Sequence, residues 1–332
     1  MSDIKPAPHG WLILDKPRGL GSTQAVSAVK RVLRHGGYAK TKVGHGGTLD
    51  PLAEGVLPIA LGEATKLAGR MLDSDKIYAF TIRFGEETDT LDTEGEVVER
   101  TDRRPPMAAI AAVLDHFTGD IEQIPPAYSA VKIDGKRAYD RARAGEQVDM
   151  KTRAVTIHSL SFEGDREDGE VRSTFATTAG RPDPYDPQVP LELAESVTLV
   201  AHVSKGTYIR SLARDIAHAL GTLGHVTYLR RIKAGPFREE QAISLDNLEK
   251  VAKGARIENL LLPLEAGLDD IPALHLDPDS AQAVRQGRVL SELPHTDGLH
   301  LATLHDVPVA LMELSGGTAK VVRGFNLPDV AE

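Results

Sequence analysis

Trp11-Leu-Ile-Leu14 is an unbroken apolar run that stops at Asp15-Lys-Pro-Arg-Gly19, a pattern that predicts a buried strand entering a turn. A helix follows, with Ser22 or Thr23 as its N-cap and Ala25, Val26, Val29, Val32 and Leu33 on one face. Ile77-Tyr-Ala-Phe-Thr-Ile-Arg-Phe84 alternates with period two and ends at Gly85, which marks a half-buried strand. Helical spacing returns at Met107–Phe117, where Ile110, Val113, Leu114 and Phe117 share a face. Residues 125–144 combine a Pro-Pro turn, a short strand and a basic helix, and Val197–Val203 is again strand-like. The turn Ser204-Lys-Gly206 leads into a helix on which Ile209, Leu212, Ile216 and Leu220 form the apolar stripe. Arg210 and Arg214 sit one turn apart on a different face of it. Val226–Ile232 is the next strand.

Two stretches depart from this alternation. Residues 163–190 are polar, rich in Gly, Pro and Asp, and aperiodic, as expected of an insertion or long loop. Beyond about residue 265 the pattern breaks into short β-like runs, such as Gly298–Leu304 and Pro308–Leu314. A catalytic or binding domain over residues 1–262 and a small β domain over 263–332 account for the whole pattern.

Composition narrows the possibilities. The 332 residues include no cysteine, which excludes disulfides, thiol nucleophiles and every cysteine-based metal site and fits a reducing cytoplasm. The longest clean apolar run, Ala108–Leu114, is far short of the roughly 20 residues a membrane helix needs. The first ten residues lack the apolar core of a secretory signal. Net charge is −9, yet residues 239–332 alone hold 7 basic and 16 acidic side chains, so the first 238 residues are neutral overall. Within them, residues 1–70 carry ten basic groups against five acidic, and 201–238 seven against one. Residues 86–100 hold seven acids and one Arg. Basic stretches of this kind suit a phosphate-rich ligand, because each Lys or Arg on a phosphate releases counterions.

No P-loop, His-Glu-x-x-His, Gly-x-Ser-x-Gly or dinucleotide-binding fingerprint is present. Of the twelve histidines, His295, His300 and His305 recur every five residues, which suits neither one strand face nor one helix face, so no metal site is expected. The densest signal is Gly44–Gly62, where Gly44, Gly46, Gly47, Gly55 and Gly62 surround one carboxylate, Asp50. Such a backbone allows close approach of a ligand. Asp50 before Pro51 reads equally as a helix N-cap with Pro at N1. Ser204–Arg210 sets two cations, Lys205 and Arg210, and the phenol of Tyr208 at a helix start suited to anions. Tyr78 is either a core tyrosine or a stacking platform for a base.

The run Gly44-His-Gly-Gly-Thr-Leu-Asp-Pro-Leu-Ala-Glu-Gly-Val-Leu-Pro-Ile-Ala-Leu-Gly-Glu-Ala-Thr-Lys66 closely resembles the catalytic-aspartate motif of the TruB family of tRNA pseudouridine-55 synthases. Leu14–Ser22, Tyr78–Gly95, Gln123–Lys132, Ser204–Arg210 and Tyr228–Arg231 agree with that family in order and spacing, so the resemblance spans roughly residues 10–245. It implies Asp50 as catalytic aspartate, Tyr78 as active-site tyrosine and Arg210 as the aspartate's partner. His45 would contact RNA beside a flipped uridine, Lys16 and Pro17 belong to a motif near the site, and Leu229 is a pocket wall. Lys16, Lys205, Tyr208 and Arg230 complete the expected RNA-binding set. The implied fold is an α/β (α+β) core with a mixed, mostly antiparallel sheet flanked by helices, followed by a small PUA-like β domain. The implied reaction is isomerisation of a flipped-out uridine in the T-loop (position 55) of tRNA, without metal or organic cofactor, by a monomer that needs no protein partner.

Overall fold

The computed structural model describes residues 4–129, 131–133, 135–146, 148–167, 170–171, 191–254 and 256–327. Most of the polar segment at 163–190 lies outside these residues. In chain order the first elements are β1 (Gly10–Lys16), α1 (Ser22–His35), β2 (Val43–His45), β3 (Glu54–Leu61), β4 (Lys76–Phe84) and α2 (Met107–Leu114). Next come β5 (Gly119–Gln123), β6 (Arg153–Phe162), β7 (Ser196–Val203), α3 (Ile209–Ala219), β8 (Gly224–Ala234), β9 (Ile243–Ser244) and α4 (Leu245–Gly254). The C-terminal region adds β10 (Ala273–His275), α5 (Pro278–Arg285), β11 (Gly298–Leu304), β12 (Val307–Ser315) and β13 (Thr318–Gly324). Among the described residues no helix is long and apolar enough to cross a membrane.

Two compact units form. One comprises Met1–Leu49, Val56–Leu72 and Ala234–Glu332; the other comprises Asp50–Gly55 and Asp73–Lys233. In the first, β1 lies between β3 and the short parallel strand β9, and β2 pairs antiparallel with β3. Helix α1 buries the predicted stripe, Ala25, Val26, Val29, Val32 and Leu33. Its N-cap is Gly21 rather than Ser22 or Thr23, with the Gln24 side chain accepting from Gly21 N at 2.8 Å. Ser22 is buried and its hydroxyl is used elsewhere, as described below.

The C-terminal sheet runs in the order β10-β11-β12-β13, and α5 packs Ala281 and Val284 into the same cluster as Leu274, Ala302 and Met312. The region therefore has a core of its own. It also shares another: Leu264, Leu301, Leu311 and Phe325 join Trp11 and Phe237 in one buried cluster. Trp11 is 0% exposed, its ring centroid lies 5.2 Å from that of Phe237, and its indole N–H donates to the Leu264 carbonyl at 3.1 Å. Through that cluster the C-terminal residues share a core with the N-terminal segments of the same unit.

The second unit orders its strands β8-β4-β7-β6-β5. The β4–β7, β7–β6 and β6–β5 ladders are antiparallel, whereas β8 meets the first residues of β3 in parallel. The mixed sheet, its flanking helices and the small C-terminal β domain place the chain in the α/β class expected of it. Alternation on β4 puts Tyr78, Phe80, Ile82 and Phe84 on one face. Helix α3 covers that face, since Gly224 lies against both Ile82 and Ala217.

Candidate active site

Asp50 does not cap a helix. Ala53 N bonds to Asp50 O at 3.1 Å, closing a four-residue turn with Pro51 second, and the chain continues as β3. Gly55 (φ +96°) and Pro58, together with the buried Val56, Leu57, Ile59 and Leu61, favour a strand over a helix there. The glycines of the run serve the chain's own packing. A Cβ on Gly46 would sit 2.6 Å from the Met71 Cβ, and one on Gly55 would sit 2.3 Å from the Arg231 carbonyl oxygen. The approach to Asp50 is pinned by Ser22, whose hydroxyl accepts from Leu49 N at 2.8 Å and donates to Leu49 O at 2.9 Å, both buried.

Arg210, the second residue of α3, is only 4% exposed, so it is not on a solvated helix face as its spacing suggests. Its Nη2 lies 2.8 Å from Asp50 Oδ2 and donates to the Tyr128 carbonyl at 3.0 Å. Its Nη1 lies 3.1 Å from Asp92 Oδ2 and donates to the Thr90 carbonyl at 2.8 Å. The planar guanidinium thus spans two carboxylates, which a point-charge ammonium cannot reproduce. Burial separates the two acids: the Asp92 side chain is 1% exposed and the Asp50 side chain 37%. Asp92 is fastened from behind, its Oδ1 accepting from Thr90 Oγ1 at 2.6 Å and from Glu94 N at 2.9 Å. One cation between two carboxylates leaves the trio with a net formal charge of −1, and the half-open Asp50 is where that charge meets solvent or ligand.

The turn that carries Asp92 is strained. Leu91 has φ +62°, an unusual value for a branched side chain, and is held by bonds from Leu91 N to Thr88 O at 3.0 Å and from Val226 N to Leu91 O at 3.0 Å. Asp92, Thr90 and Tyr128 were not among the residues expected from the sequence. The signal was available in Asp89-Thr-Leu-Asp92, but the surrounding acidic run masks one buried acid among solvated ones.

Tyr208 is the N-cap residue of α3, and Gln123 fixes it from both sides, accepting from Tyr208 N at 2.8 Å and donating to Tyr208 O at 3.1 Å. The Arg153 guanidinium lies 5.3 Å from the Tyr208 ring centroid. Burial pushes the Tyr208 phenol above its ordinary pKa, so it remains a neutral donor. Tyr78 is half-buried on the face of the sheet that α3 covers, and its backbone pairs with Ala201. Leu229 is buried on β8. Arg230 Nη1 lies 3.5 Å from Glu54 Oε1, and the exposed Lys205 pairs with Asp73 at 3.0 Å. In the other unit, His45 is half-buried and pairs with Ile59 across β2 and β3. Lys16 is 0% exposed, and its ammonium donates to the carbonyls of Pro17 at 3.1 Å and Leu20 at 2.6 Å. It orders the turn after β1 from this buried position.

Comparison with known proteins agrees with the geometry. Residues 33–181 match the family described as TruB family pseudouridylate synthase (N terminal domain), and residues 210–269 match the tRNA pseudouridylate synthase B C-terminal domain. A tRNA pseudouridine synthase B of Novosphingobium aromaticivorans is 61% identical over 323 residues, covering 97% of this chain and 99% of the relative. One of Zymomonas mobilis is 54% identical over 327 residues, with 97% and 99% covered. Among solved structures, a Cbf5-Nop10-Gar1 complex contains a chain 26% identical with a TM-score of 0.67, covering 97% of this chain and 86% of that one. The catalytic fold, the matched domains and full-length relatives of this identity converge, and the chain belongs to the TruB family of pseudouridine synthases.

Proposed function

We propose that this enzyme converts uridine to pseudouridine in the T-loop (position 55) of tRNA, with Asp50 as the catalytic carboxylate. The tRNA substrate follows the activity for which relatives that share 61% and 54% of its sequence are named. In the reaction the N1–C1′ bond breaks, the base turns, a C5–C1′ bond forms, C5 gives up a proton and N1 gains one. Atoms and electrons balance without an oxidant or reductant, so no cofactor is called for.

The observation that carries the reading is the Asp50–Arg210–Asp92 bridge. Cleavage of the glycosidic bond develops positive character at the sugar, and a carboxylate held in place beforehand stabilises it without reorganisation. Arg210 holds Asp50 through Oδ2 at 2.8 Å, which leaves Oδ1 for the substrate. Asp92 balances the other prong of the guanidinium and fixes its plane. A uridine inside a stacked loop must be extruded to reach Asp50, and an aromatic ring takes over the lost stacking. Tyr78 is assigned that role. Leu229 forms a wall of the pocket, and His45, Lys205, Tyr208 and Arg230 contact the RNA around it. The enzyme works in the cytoplasm as a single chain.

The test is incubation of the protein with a uridine-labelled T-arm minihelix and direct analysis for pseudouridine. The wild type forms it at one position. Asp50→Asn forms none while binding the RNA within about tenfold of wild type, because phosphate contacts supply most of the affinity. Substantial turnover by purified Asp50→Asn overturns the assignment of Asp50.

A further inference from the structure

We propose that Asp75, His158 and His202 form a binding site for one divalent transition-metal ion of the zinc class, on the face of the sheet opposite Tyr78. The ligand atoms these three residues offer all lie within 4.8 Å of one another, and they are the one such group among the described residues. His158 Nε2 is 3.1 Å and His202 Nε2 is 4.0 Å from the same Asp75 oxygen, Oδ2, and the two imidazole centroids are 4.7 Å apart. A shift of about an ångström in each side chain would bring two nitrogens and one oxygen to the 2.0–2.2 Å that zinc requires.

The backbone builds this convergence. His202 on β7 pairs with Ile77 on β4, and Asp75 precedes Ile77 by two residues, so Asp75 and His202 share a face. On β6 the register shifts between Ile157, which pairs with Val203, and Ser159, which pairs with His202. His158 is therefore the extra residue of a β-bulge, a device that re-aims a side chain. Here it turns His158 to His202. Tyr78 pairs with Ala201 and lies on the other face, under α3. The cluster is thus outside the uridine site.

Chemistry selects the ion. Two imidazoles and a single carboxylate suit zinc, nickel, cobalt or copper, whereas magnesium and calcium require mostly oxygen ligands. Ile77, Ala79, Val200 and Ile232 form an apolar cluster on the same face, beside His202. The nearby Lys205 ammonium is occupied by Asp73. Three protein ligands leave the remaining positions to water, so the ion clips the bulge of β6 and the end of β7 to the residue just before β4.

Calorimetric titration of the full chain with zinc chloride, with cobalt(II) absorption as the spectroscopic readout, tests the site. One ion per chain is expected, undisturbed by excess magnesium. His158→Ala should weaken binding by at least the roughly 10–100-fold that loss of an outer partner costs. His202→Ala and Asp75→Asn should do the same. Circular dichroism and unchanged pseudouridine formation by the variants, as by wild type in EDTA, establish that they are folded. Failure of the wild type to bind zinc stoichiometrically overturns the proposal, as does equal zinc affinity in wild type and in a folded His158→Ala, His202→Ala double variant.

Discussion

Replacing Arg210 with Ala removes the cation that bridges both carboxylates, and the two acids respond differently. Asp50, 37% exposed, regains water; Asp92, 1% exposed, is left as a buried charge. Breaking a buried pair from one side costs about 3–5 kcal/mol. That is a large part of the roughly 5–15 kcal/mol that holds a typical fold together. Urea unfolding at pH 7 measures that deficit, alongside single-turnover pseudouridine formation. Arg210→Lys restores the charge and most of the stability but little activity, since an ammonium cannot span Asp50 and Asp92 while holding the Thr90 and Tyr128 carbonyls. Unchanged stability of Arg210→Ala at pH 7 refutes the bridge as the source of stability. Equal turnover by the Lys and Arg forms refutes it as the device that positions Asp50.

Ser22→Ala strips both buried hydrogen bonds from the Leu49 backbone and should cost about 1–3 kcal/mol, with a fall in kcat larger than any change in KM because the residue next to Leu49 is Asp50; Ser22→Thr, if it folds, should recover part of both in urea and turnover assays. Burial, with the hydrogen bond to Glu258, raises the Tyr38 phenol above its ordinary pKa, so stability should fall as pH climbs past 10, where the unfolded chain ionises first. Tyr38→Phe should flatten that decline in alkaline unfolding curves and cost about 1–2 kcal/mol through loss of its bonds to Glu258 and Ile257. Truncation after Pro263 should destabilise the remainder by at least the roughly 3–5 kcal/mol of a large core deletion, because Leu264, Leu301, Leu311 and Phe325 cover Trp11. A truncated chain with wild-type melting temperature would show that this shared cluster contributes nothing.

Periodic segments were legible because local pattern and burial coincide. The alternation at Ile77–Phe84, the stripe of α1 and the strand at Val197–Val203 all appear where the residues place them. The C-terminal β runs were readable for the same reason, but their attachment was not. Nothing local in Leu264, Leu301 or Phe325 states that they close over Trp11, more than 250 residues earlier in the case of Leu264. Charge was a weaker guide. The acidic run at 86–100 reads as solvated surface, yet Asp92 within it is the most buried partner of Arg210.

The pair Asp-Pro shows what a local rule lacks. Asp50-Pro51 and Asp277-Pro278 carry the same N-cap signature, and only the second caps a helix, with Asp277 Oδ1 accepting from Ser280 N at 2.8 Å. What differs is the following residues. Ala281 and Val284, three apart, give α5 a stripe to bury, whereas Gly55 at φ +96° and Pro58 forbid helix after Pro51. Asp277, with its carboxylate spent on the Ser280 backbone, has no chemistry left to offer. Asp50 has no helix to cap, so its carboxylate is free to turn toward Arg210, and the same two residues that end one loop as structure end the other as a reactive group. The meaning of Asp50 is thus set by Gly55 and Pro58 as much as by Arg210. A helix engineered to start at Pro51, by Gly55→Ala with Pro58→Ala, should lose pseudouridine formation even where Asp50, Arg210 and Asp92 are all retained.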